Sequence, residues 1–333
     1  MMNFANKTIL ITGVAGYIGS NMAQLLLQNN FKIIGIDNLS NSFSLKITHP
    51  NFQFIKADIA QKKIINEIFI KQKIDAVIYL SASIEVGLSM QNAISFYKNN
   101  VVNALNFIEI MHQIQSDCNF IFSSTAGVYK TKNNLILEDD EKIPESVYGK
   151  TKLIIEQALQ DFGEIHKLKY AILRYFNACG ADNENNLGEN RKIETHLIPL
   201  LLRAINRKDY DFYIYGNDYK TKDQTCIRDY IHVKDICLAH LEVLKYLSNV
   251  EVGNHHFNIG TQNGFSVLEI VKKAIEISKS NFKIKYHSRR VGDCDSIIAC
   301  NKKIISTLNW QPRFSSLDEI IESSWIWEKT FKK

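Results

Sequence analysis

The chain has 333 residues, 45% of them hydrophobic and 23% charged, which is the composition of an ordinary globular protein and excludes a disordered or collagen-like one. Its formal net charge of +5 is spread along the sequence without a basic block, which argues against a nucleic-acid-binding arm. The longest aliphatic run, Leu197 to Leu202, is far shorter than the roughly 20 residues that cross a bilayer, so no membrane helix is expected.

Short β-branched apolar runs alternate with helical patterns through the first half of the chain. This alternation is typical of a doubly wound (Rossmann) α/β fold, a parallel sheet with helices on both faces. The pattern predicts strands at residues 8–12, 32–37, 52–56, 75–80, 119–124 and 170–174. It predicts helices at residues 17–29, 61–71, 92–115 and 146–167.

The length also favours two domains, because a single core rarely grows beyond roughly 250 to 300 residues. Near Gly180 the strand–helix rhythm gives way to an Asn-rich loop and then to mixed helices and isolated strands. We therefore expect a doubly wound domain over 1–178 and a smaller mixed α/β domain over 179–333. Residues 256–260 read as a short buried strand that is able to rejoin the first sheet.

The compartment is predicted from the N-terminal sequence and the cysteines. The first strand pattern begins at Thr8 without a charged leader or a cleavage site, so no export signal is expected. The six cysteines show no metal-binding spacing with histidines, so we expect free thiols, no metal and a reducing cytoplasm.

A glycine-rich turn, Gly13 to Gly19, follows the first predicted strand and opens the first helix. Such a turn brings backbone N–H groups and the positive end of a helix close to a pyrophosphate. Here Gly13 would make the tight turn, Gly16 would admit the phosphates, and Gly19 would let helix and strand pack. The three-and-three glycine spacing differs from the commonest dinucleotide fingerprint, so the motif depends on its context.

Asp37 supplies that context, since it ends the second strand 18 residues after Gly19. A carboxylate there accepts hydrogen bonds from an adenosine ribose and repels a 2′-phosphate, and no arginine follows to bind one, so NAD is favoured over NADP. The structural alternative is that Asp37 only caps a turn. Asp58 ends the third strand and is open to either an adenine contact or a turn role.

Tyr148 and Lys152 are four residues apart in a predicted helix, so their side chains share one face. The strand before them ends in Ser123, Ser124 and Thr125, which places hydroxyls at the carboxyl edge of the sheet, where open α/β sheets bind ligands. A nearby ammonium favours a phenolate, which can remove a proton from an alcohol held by Thr125. The alternative is that Tyr148 and Lys152 merely lie on a solvated helix face.

Nine segments together resemble the UDP-glucose 4-epimerases of the extended short-chain dehydrogenase/reductase family, in order and over almost the whole chain. They are Thr12 to Ser20, Asp37 to Ser42, Phe122 to Thr125, Tyr148 to Lys152, Arg174 to Asn177, Tyr215 to Tyr219, Arg228 to Val233, Arg289 to Asp293 and Asn309 to Pro312. The resemblance implies that NAD oxidises carbon 4 of a UDP-hexose to a ketone and then reduces it from the opposite face.

The resemblance also assigns residues. Tyr148 is the implied base, Thr125 its hydroxyl partner and Lys152 the ligand of the nicotinamide ribose. The candidate NAD-binding residues are Gly13, Gly16, Tyr17, Ile18, Gly19, Asp37, Asn38, Asn41, Ser42, Asp58, Ile59, Asn99 and Lys152. The candidate UDP-sugar-binding residues are Asn177, His196, Leu197, Tyr213, Tyr215, Arg228, Arg290, Asp293 and Ile297. Arginine forks suit a diphosphate, although a surface ion pair is the alternative for Arg228 and Arg290.

Ile297 departs from the family pattern. It aligns with a position where a tyrosine restricts relatives to glucose and galactose and smaller residues admit N-acetylhexosamines, so UDP-GlcNAc and UDP-GalNAc are expected to be substrates as well. Ile84, where many epimerases have lysine, and Lys130, where glycine is usual, are further departures.

Three other functions are alternatives to a UDP-hexose 4-epimerase. A 4,6-dehydratase carries Asp and Glu directly after the threonine, whereas Ala126 and Gly127 follow Thr125 here. A UDP-glucuronate 4-epimerase shares the oxidation step and stays open. An NAD-sensing regulator would keep the glycine turn but would not need Thr125, Tyr148 and Lys152 together. For assembly, relatives pair the helices corresponding to 92–115 and 146–167 across a dimer, so a homodimer is expected.

Overall fold

The computed structural model describes residues 6–42, 45, 47–132, 135–207, 211–250, 252–290 and 293–330. The strands are β1 Thr8–Thr12, β2 Lys32–Asp37, β3 Phe52–Lys56, β4 Ala76–Tyr79, β5 Asn119–Thr125, β6 Leu135–Ile136, β7 Tyr170–Tyr175, β8 Asn177–Cys179, β9 Ile214–Tyr215, β10 Ile227–Arg228, β11 Tyr230–His232, β12 Asn254–Ile259, β13 Phe265–Ser266, β14 Tyr286–His287 and β15 Ser296–Ala299.

The α-helices are α1 Tyr17–Gln28, α2 Lys62–Lys71, α3 Val86–Gln91, α4 Ala93–Tyr97, α5 Asn103–Ile114, α6 Val147–His166, α7 Leu197–Asn206, α8 Val233–Leu247, α9 Val267–Ser278, α10 Lys302–Leu308 and α11 Leu317–Thr330. A π-helical turn spans Lys98–Val102 and a 3₁₀ turn spans Ala126–Val128.

The chain divides into two compact units. Unit 1 comprises residues 1–130, 141–174 and 237–257, and unit 2 comprises 131–140, 175–236 and 258–333. The chain thus passes between the units several times, whereas the sequence pattern predicts one boundary at residue 178 and a strand at 256–260 able to rejoin the first domain. The reason is that the β6 segment pairs with β15 in unit 2, whereas α8 and the start of β12 return to unit 1.

A seven-stranded sheet in the order β12-β7-β5-β4-β1-β2-β3 forms the centre of unit 1. The pairs β1–β2, β2–β3, β1–β4 and β4–β5 are parallel, and helices flank the sheet. The predicted α/β fold class is therefore confirmed. β12 forms one edge of the sheet, as the pattern of residues 256–260 allowed.

The helix predicted at 92–115 extends over residues 93–114 and contains a π-helical turn. Asn92 caps α4 through its side-chain oxygen, and the π-helical turn at 98–102 separates α4 from α5. Asn100 in that turn is buried. Its side-chain oxygen accepts a hydrogen bond from the N–H of Ser83, and its side-chain nitrogen donates to the carbonyl oxygen of Ser83. A π-turn admits one extra residue per turn, which lets Asn100 point at the loop after β4 while the helix continues.

Unit 2 has its own apolar core, which packs α7, α9 and α11 together around buried residues such as Leu201, Ile270 and Ile320. Its small sheet has the order β13-β10-β15-β6. All six cysteines are free thiols, and every one except Cys294 is buried. Within the part of the chain that the structure describes, none of the helices is both long and apolar enough to span a bilayer.

Candidate active site

The glycine turn connects β1 to α1 in a conformation that requires glycine. Gly13 has φ +71°, a left-handed conformation that side chains disfavour. A Cβ on Gly19 would lie 2.2 Å from the carbonyl oxygen of Gly13, so α1 can approach the turn only because Gly19 lacks a side chain. Tyr17 is buried behind the turn and Ile18 is half-buried.

The turn fits the pyrophosphate of a dinucleotide. Gly16 is the N-cap of α1 and has no side chain to bond the first N–H groups of the helix. Those groups, together with the positive end of the helix dipole, are the usual partners of a phosphate.

Asp37 lies beside this turn at the end of β2. Its carboxylate accepts hydrogen bonds from the N–H of Ala15 at 3.0 Å and of Leu39 at 2.7 Å. Burial raises the pKa of Asp37, and the two N–H groups oppose that rise. The turn-capping role is thus present, and it also fixes the carboxylate next to the glycine turn, where the ribose of NAD is expected.

The remaining candidate NAD residues cluster around the ends of β2, β3 and β4. The Asn38 amide donates to Asp58 at 2.7 Å, and Asp58 also accepts from the N–H of Ala60, which is the turn role considered for it. Asn41 donates to Glu85 at 2.8 Å, and Asn99 donates to the Ser83 hydroxyl at 2.9 Å. Ser42 and Ile59 are buried.

Lys152 is buried on α6, with only 3% of its surface exposed. Its Nζ donates to the carbonyl oxygen of Ser123 at 2.7 Å and lies 4.8 Å from the Phe122 ring centroid and 6.0 Å from that of Tyr148. Burial lowers the pKa of Lys152 to about 7, and the charge of Glu156 opposes this. An ammonium that titrates near neutrality therefore lies beside the phenol.

The helix that carries Tyr148 packs closely against the turn that follows Thr125. Gly149 packs so tightly on the turn after β5 that a Cβ there would lie 2.3 Å from the Gly127 carbonyl oxygen. Thr125 Oγ1 accepts from the N–H of Gly127 at 3.1 Å, which leaves its O–H hydrogen for another acceptor. The structure thus places α6, with Tyr148 and Lys152, against the end of β5 and the turn that follows Thr125.

Unit 2 holds a second group of predicted residues around an ion pair. Arg228 on β10 pairs with Asp293 and also donates to the carbonyl oxygen of Cys294 at 3.1 Å. The Tyr219 hydroxyl donates to Asp293 at 2.8 Å, so Asp293 is held from two sides. Ile297 on β15 lies directly opposite Arg228 in the strand pairing.

The candidate tyrosines of unit 2 each lie beside a cationic side chain. Arg290 Cζ lies 4.3 Å from the ring centroid of Tyr215, and Lys285 Nζ lies 5.6 Å from that of Tyr213. Asn177 donates its amide to the carbonyl oxygen of Asp229 at 2.8 Å. Stacking on Tyr215 orients the Arg290 guanidinium while its N–H groups remain able to bind an anion.

His196 is the N-cap residue of α7, directly before Leu197. Its Nδ1 lies 2.8 Å from Glu189, whose charge outweighs the effect of burial and raises the pKa of His196. Glu189, Glu194 and His196 bring potential metal-ligand atoms within 4.8 Å of one another. Arg191 and Arg203 already pair with the two carboxylates, so this cluster is better described as a buried ion-pair network than as a metal site.

Comparison with known proteins places these features in a family. The family model described as GDP-mannose 4,6 dehydratase matches residues 10–324. The chain is 38% identical to the UDP-glucose 4-epimerase of Rhizobium meliloti (strain 1021), over 97% of each chain. The chain belongs to the UDP-glucose 4-epimerase group of extended short-chain dehydrogenases/reductases.

Solved structures agree with this membership. The UDP-glucose 4-epimerase from Brucella ovis in complex with NAD is 35% identical, covers 96% of this chain and 98% of its own, and gives a TM-score of 0.89. The UDP-Glc/GlcNAc 4-epimerase from Campylobacter jejuni is 37% identical, covers 98% and 100%, and gives a TM-score of 0.83.

Sequence reasoning missed several residues that organise this short-chain dehydrogenase/reductase site. Thr151 donates to the carbonyl oxygen of Tyr148 at 2.7 Å and accepts from the buried Asn100 at 3.1 Å, which connects the turn of α6 that carries Tyr148 to the π-helical turn. Tyr219, which ends the segment from Tyr215 to Tyr219, donates its hydroxyl to Asp293. The one available signal was position: Thr151 precedes Lys152, and buried polar residues commonly need a partner.

Proposed function

We propose that this chain is an NAD-dependent UDP-hexose 4-epimerase. The observation that carries the proposal is the buried Lys152 beside Tyr148, on a helix packed against the turn that follows Thr125. This arrangement lies in the same unit as a glycine turn and a ribose-binding carboxylate suited to NAD.

The chemistry required of the chain is to remove and return one proton. Bound NAD supplies the oxidation and reduction of carbon 4 of the hexose. Tyr148 accepts the proton of the 4-hydroxyl, and the Lys152 ammonium stabilises the phenolate that does so. Lowering a phenol pKa from about 10 to about 7 needs roughly 4 kcal/mol, and nearby positive charge in a buried site can provide it. Thr125 donates its hydroxyl hydrogen to the sugar oxygen and holds it in place.

Unit 2 is proposed to hold the nucleotide part of the substrate. Arg228 and Arg290 present guanidinium groups to the diphosphate, and Asp293 accepts from a ribose hydroxyl. Asn177, His196, Leu197, Tyr213 and Tyr215 complete the UDP-sugar site. Strong contacts on the diphosphate leave the hexose free to turn over between oxidation and reduction, which epimerisation requires.

The direct test is conversion of UDP-galactose to UDP-glucose by the purified chain without added cofactor. We expect activity, because NAD consumed in one half of the reaction is regenerated in the other and need not leave. UDP-glucuronate is assayed in parallel, since a uronate epimerase shares the first step. Product from neither substrate, with or without added NAD, would reject the proposal.

The substrate range is proposed to include UDP-GlcNAc and UDP-GalNAc. Ile297 is half-buried on β15, beside Arg228, and is smaller than tyrosine. The Ile297→Tyr variant is expected to lose about tenfold or more in kcat/KM for UDP-GlcNAc while UDP-glucose is retained, because the larger ring takes the space of the acetamido group. Ile297→Leu, which preserves volume, is the control. Equal losses for both substrates in Ile297→Tyr would contradict this role.

We propose a homodimer formed through α4, the π-helical turn and α5. Ile94, Val102 and Leu105 are all exposed, at 67%, 50% and 41%, along this helical segment. Light scattering is expected to give the dimer mass for the wild type and the monomer mass for Leu105→Arg, because a charge on a buried apolar face is costly. Ile70→Arg, at an exposed site on α2, is the control and should remain dimeric. A wild type of monomer mass would refute the assembly.

A cytoplasmic location is also proposed. Six free thiols, all but Cys294 buried, are typical of proteins kept in a reducing compartment. Fractionation of the source cells tests it, and recovery with secreted proteins would contradict it.

A further inference from the structure

Glu156 is a buried carboxylate on α6, one helical turn after Lys152, with 4% of its surface exposed. It forms a two-pronged ion pair with Arg174 on β7: Arg174 Nη2 donates to Oε2 at 2.7 Å, and Nε donates to Oε1 at 3.0 Å. Arg174 in turn donates to the Tyr129 hydroxyl at 2.6 Å. Neither Glu156 nor Arg174 has a role in the mechanism proposed above.

The position of this pair relates it to the reacting groups. Ser124, the residue between Ser123 and Thr125, donates its hydroxyl to Glu156. The same short stretch of β5 therefore contacts α6 twice, through Ser123 to Lys152 and through Ser124 to Glu156. Removing either contact would let the end of β5, including Thr125, move relative to Tyr148.

The negative charge of Glu156 also connects it to Lys152. Burial favours the neutral amine of Lys152, and Glu156 is the charge that opposes this. A carboxylate four residues along a helix is close enough to favour an ammonium, and burial strengthens the effect because water does not screen it. A structural ion pair alone would not need to lie next to the lysine.

We propose that Glu156 is a positioning residue of the reaction: it keeps Lys152 charged beside Tyr148 and, through Ser124, holds the end of β5 in register with α6. Arg174 fixes the orientation of the Glu156 carboxylate through the two-pronged ion pair. This inference rests on the proposed epimerase function.

The test is the pH dependence of kcat for UDP-galactose conversion in the full-length chain. Tyr148 and the charge of Glu156 act on Lys152, and Glu156 itself is faced by Arg174 on β7, which also contacts Tyr129. Glu156→Gln removes a negative charge, so the profile is expected to move to lower pH, with about a tenfold loss of kcat at pH 8. Ser124→Ala removes only the alignment, so kcat falls while the profile keeps its position.

A double variant, Glu156→Gln with Arg174→Met, separates charge from packing. It removes both charges, so its profile is expected between those of the wild type and Glu156→Gln. It also carries the test if the single variant, in which the buried Arg174 loses its carboxylate partner, fails to fold. A second readout is the free energy of unfolding of the NAD-free chain, measured as a function of pH. The deprotonation of Lys152 makes this free energy rise with pH. In both variants the rise should begin at lower pH than in the wild type.

The outcomes distinguish the two proposals. An inactive wild type refutes the epimerase function. An active wild type whose variants lose kcat without any movement of the pH profile or of the unfolding curve shows a purely structural Glu156 and overturns the inference.

Discussion

Replacing Tyr148 with phenylalanine is expected to lower kcat for UDP-galactose conversion by about 10³-fold, the usual contribution of a positioned general base. The substitution removes one oxygen and leaves the ring on α6. UDP binding, measured by calorimetry, should be unchanged, because the proposed UDP ligands Arg228, Arg290 and Asp293 belong to unit 2.

The control for this variant is Tyr246→Phe on α8, whose hydroxyl contacts His255 at 3.3 Å. It also loses only a hydroxyl from a half-buried helical tyrosine in unit 1, and it should retain full activity. If Tyr148→Phe keeps more than a tenth of wild-type kcat, Tyr148 is not the base and the mechanism must be abandoned.

Lys152→Met is expected to lose activity by about 10²- to 10³-fold and at the same time to make the folded chain more stable. Activity falls because the phenolate loses its neighbouring cation. Stability rises because methionine fills the buried site without an ammonium that must be desolvated. The gain is on the order of 5 kcal/mol at pH 6, since a pKa lowered from about 10.4 to about 7 costs about 1.4 kcal/mol per unit.

The stability difference between Lys152→Met and the wild type depends on pH. The pKa of Lys152 is about 7 in the folded chain, below the value of about 10.4 in the unfolded chain. Between these values the unfolded state binds more protons, so wild-type stability rises with pH from about 7 to about 10.4. Lys152→Met cannot titrate, so its advantage should be largest below pH 7 and should shrink by pH 9.

Urea denaturation of the wild type and of Lys152→Met at pH 6 and pH 9 measures the gain in stability and its dependence on pH. Lys150→Met, two residues earlier on the exposed face of α6, is the matched control and should change neither activity nor the pH dependence. A Lys152→Met variant that is less stable than the wild type at pH 6 would mean that the amine is solvated rather than buried.

The sequence determined the doubly wound unit and was sufficient to propose its reacting groups. Alternating apolar runs predicted β1, β2 and β3 with the bounds that the structure has, because strand and helix periods are local properties of the chain. The glycine turn was recognisable for the same reason, since Gly13 and Gly19 act within seven residues. The helix predicted at 92–115 is present, but periodicity did not reveal its π-helical turn, because Asn100 in that turn is fixed by Ser83, a distant partner.

Only the tertiary structure decided which side chains meet and how they are charged. Glu156 pairs with Arg174, and Arg228 pairs with Asp293, which is 65 residues away in the sequence. Strand order, rather than sequence spacing, brings these partners together. The two-unit division follows from the pairing of β6 with β15, another contact between distant segments. The pKa of Lys152 likewise depends on how much water the folded chain excludes, and that quantity exists only once the surrounding strands and helices have packed.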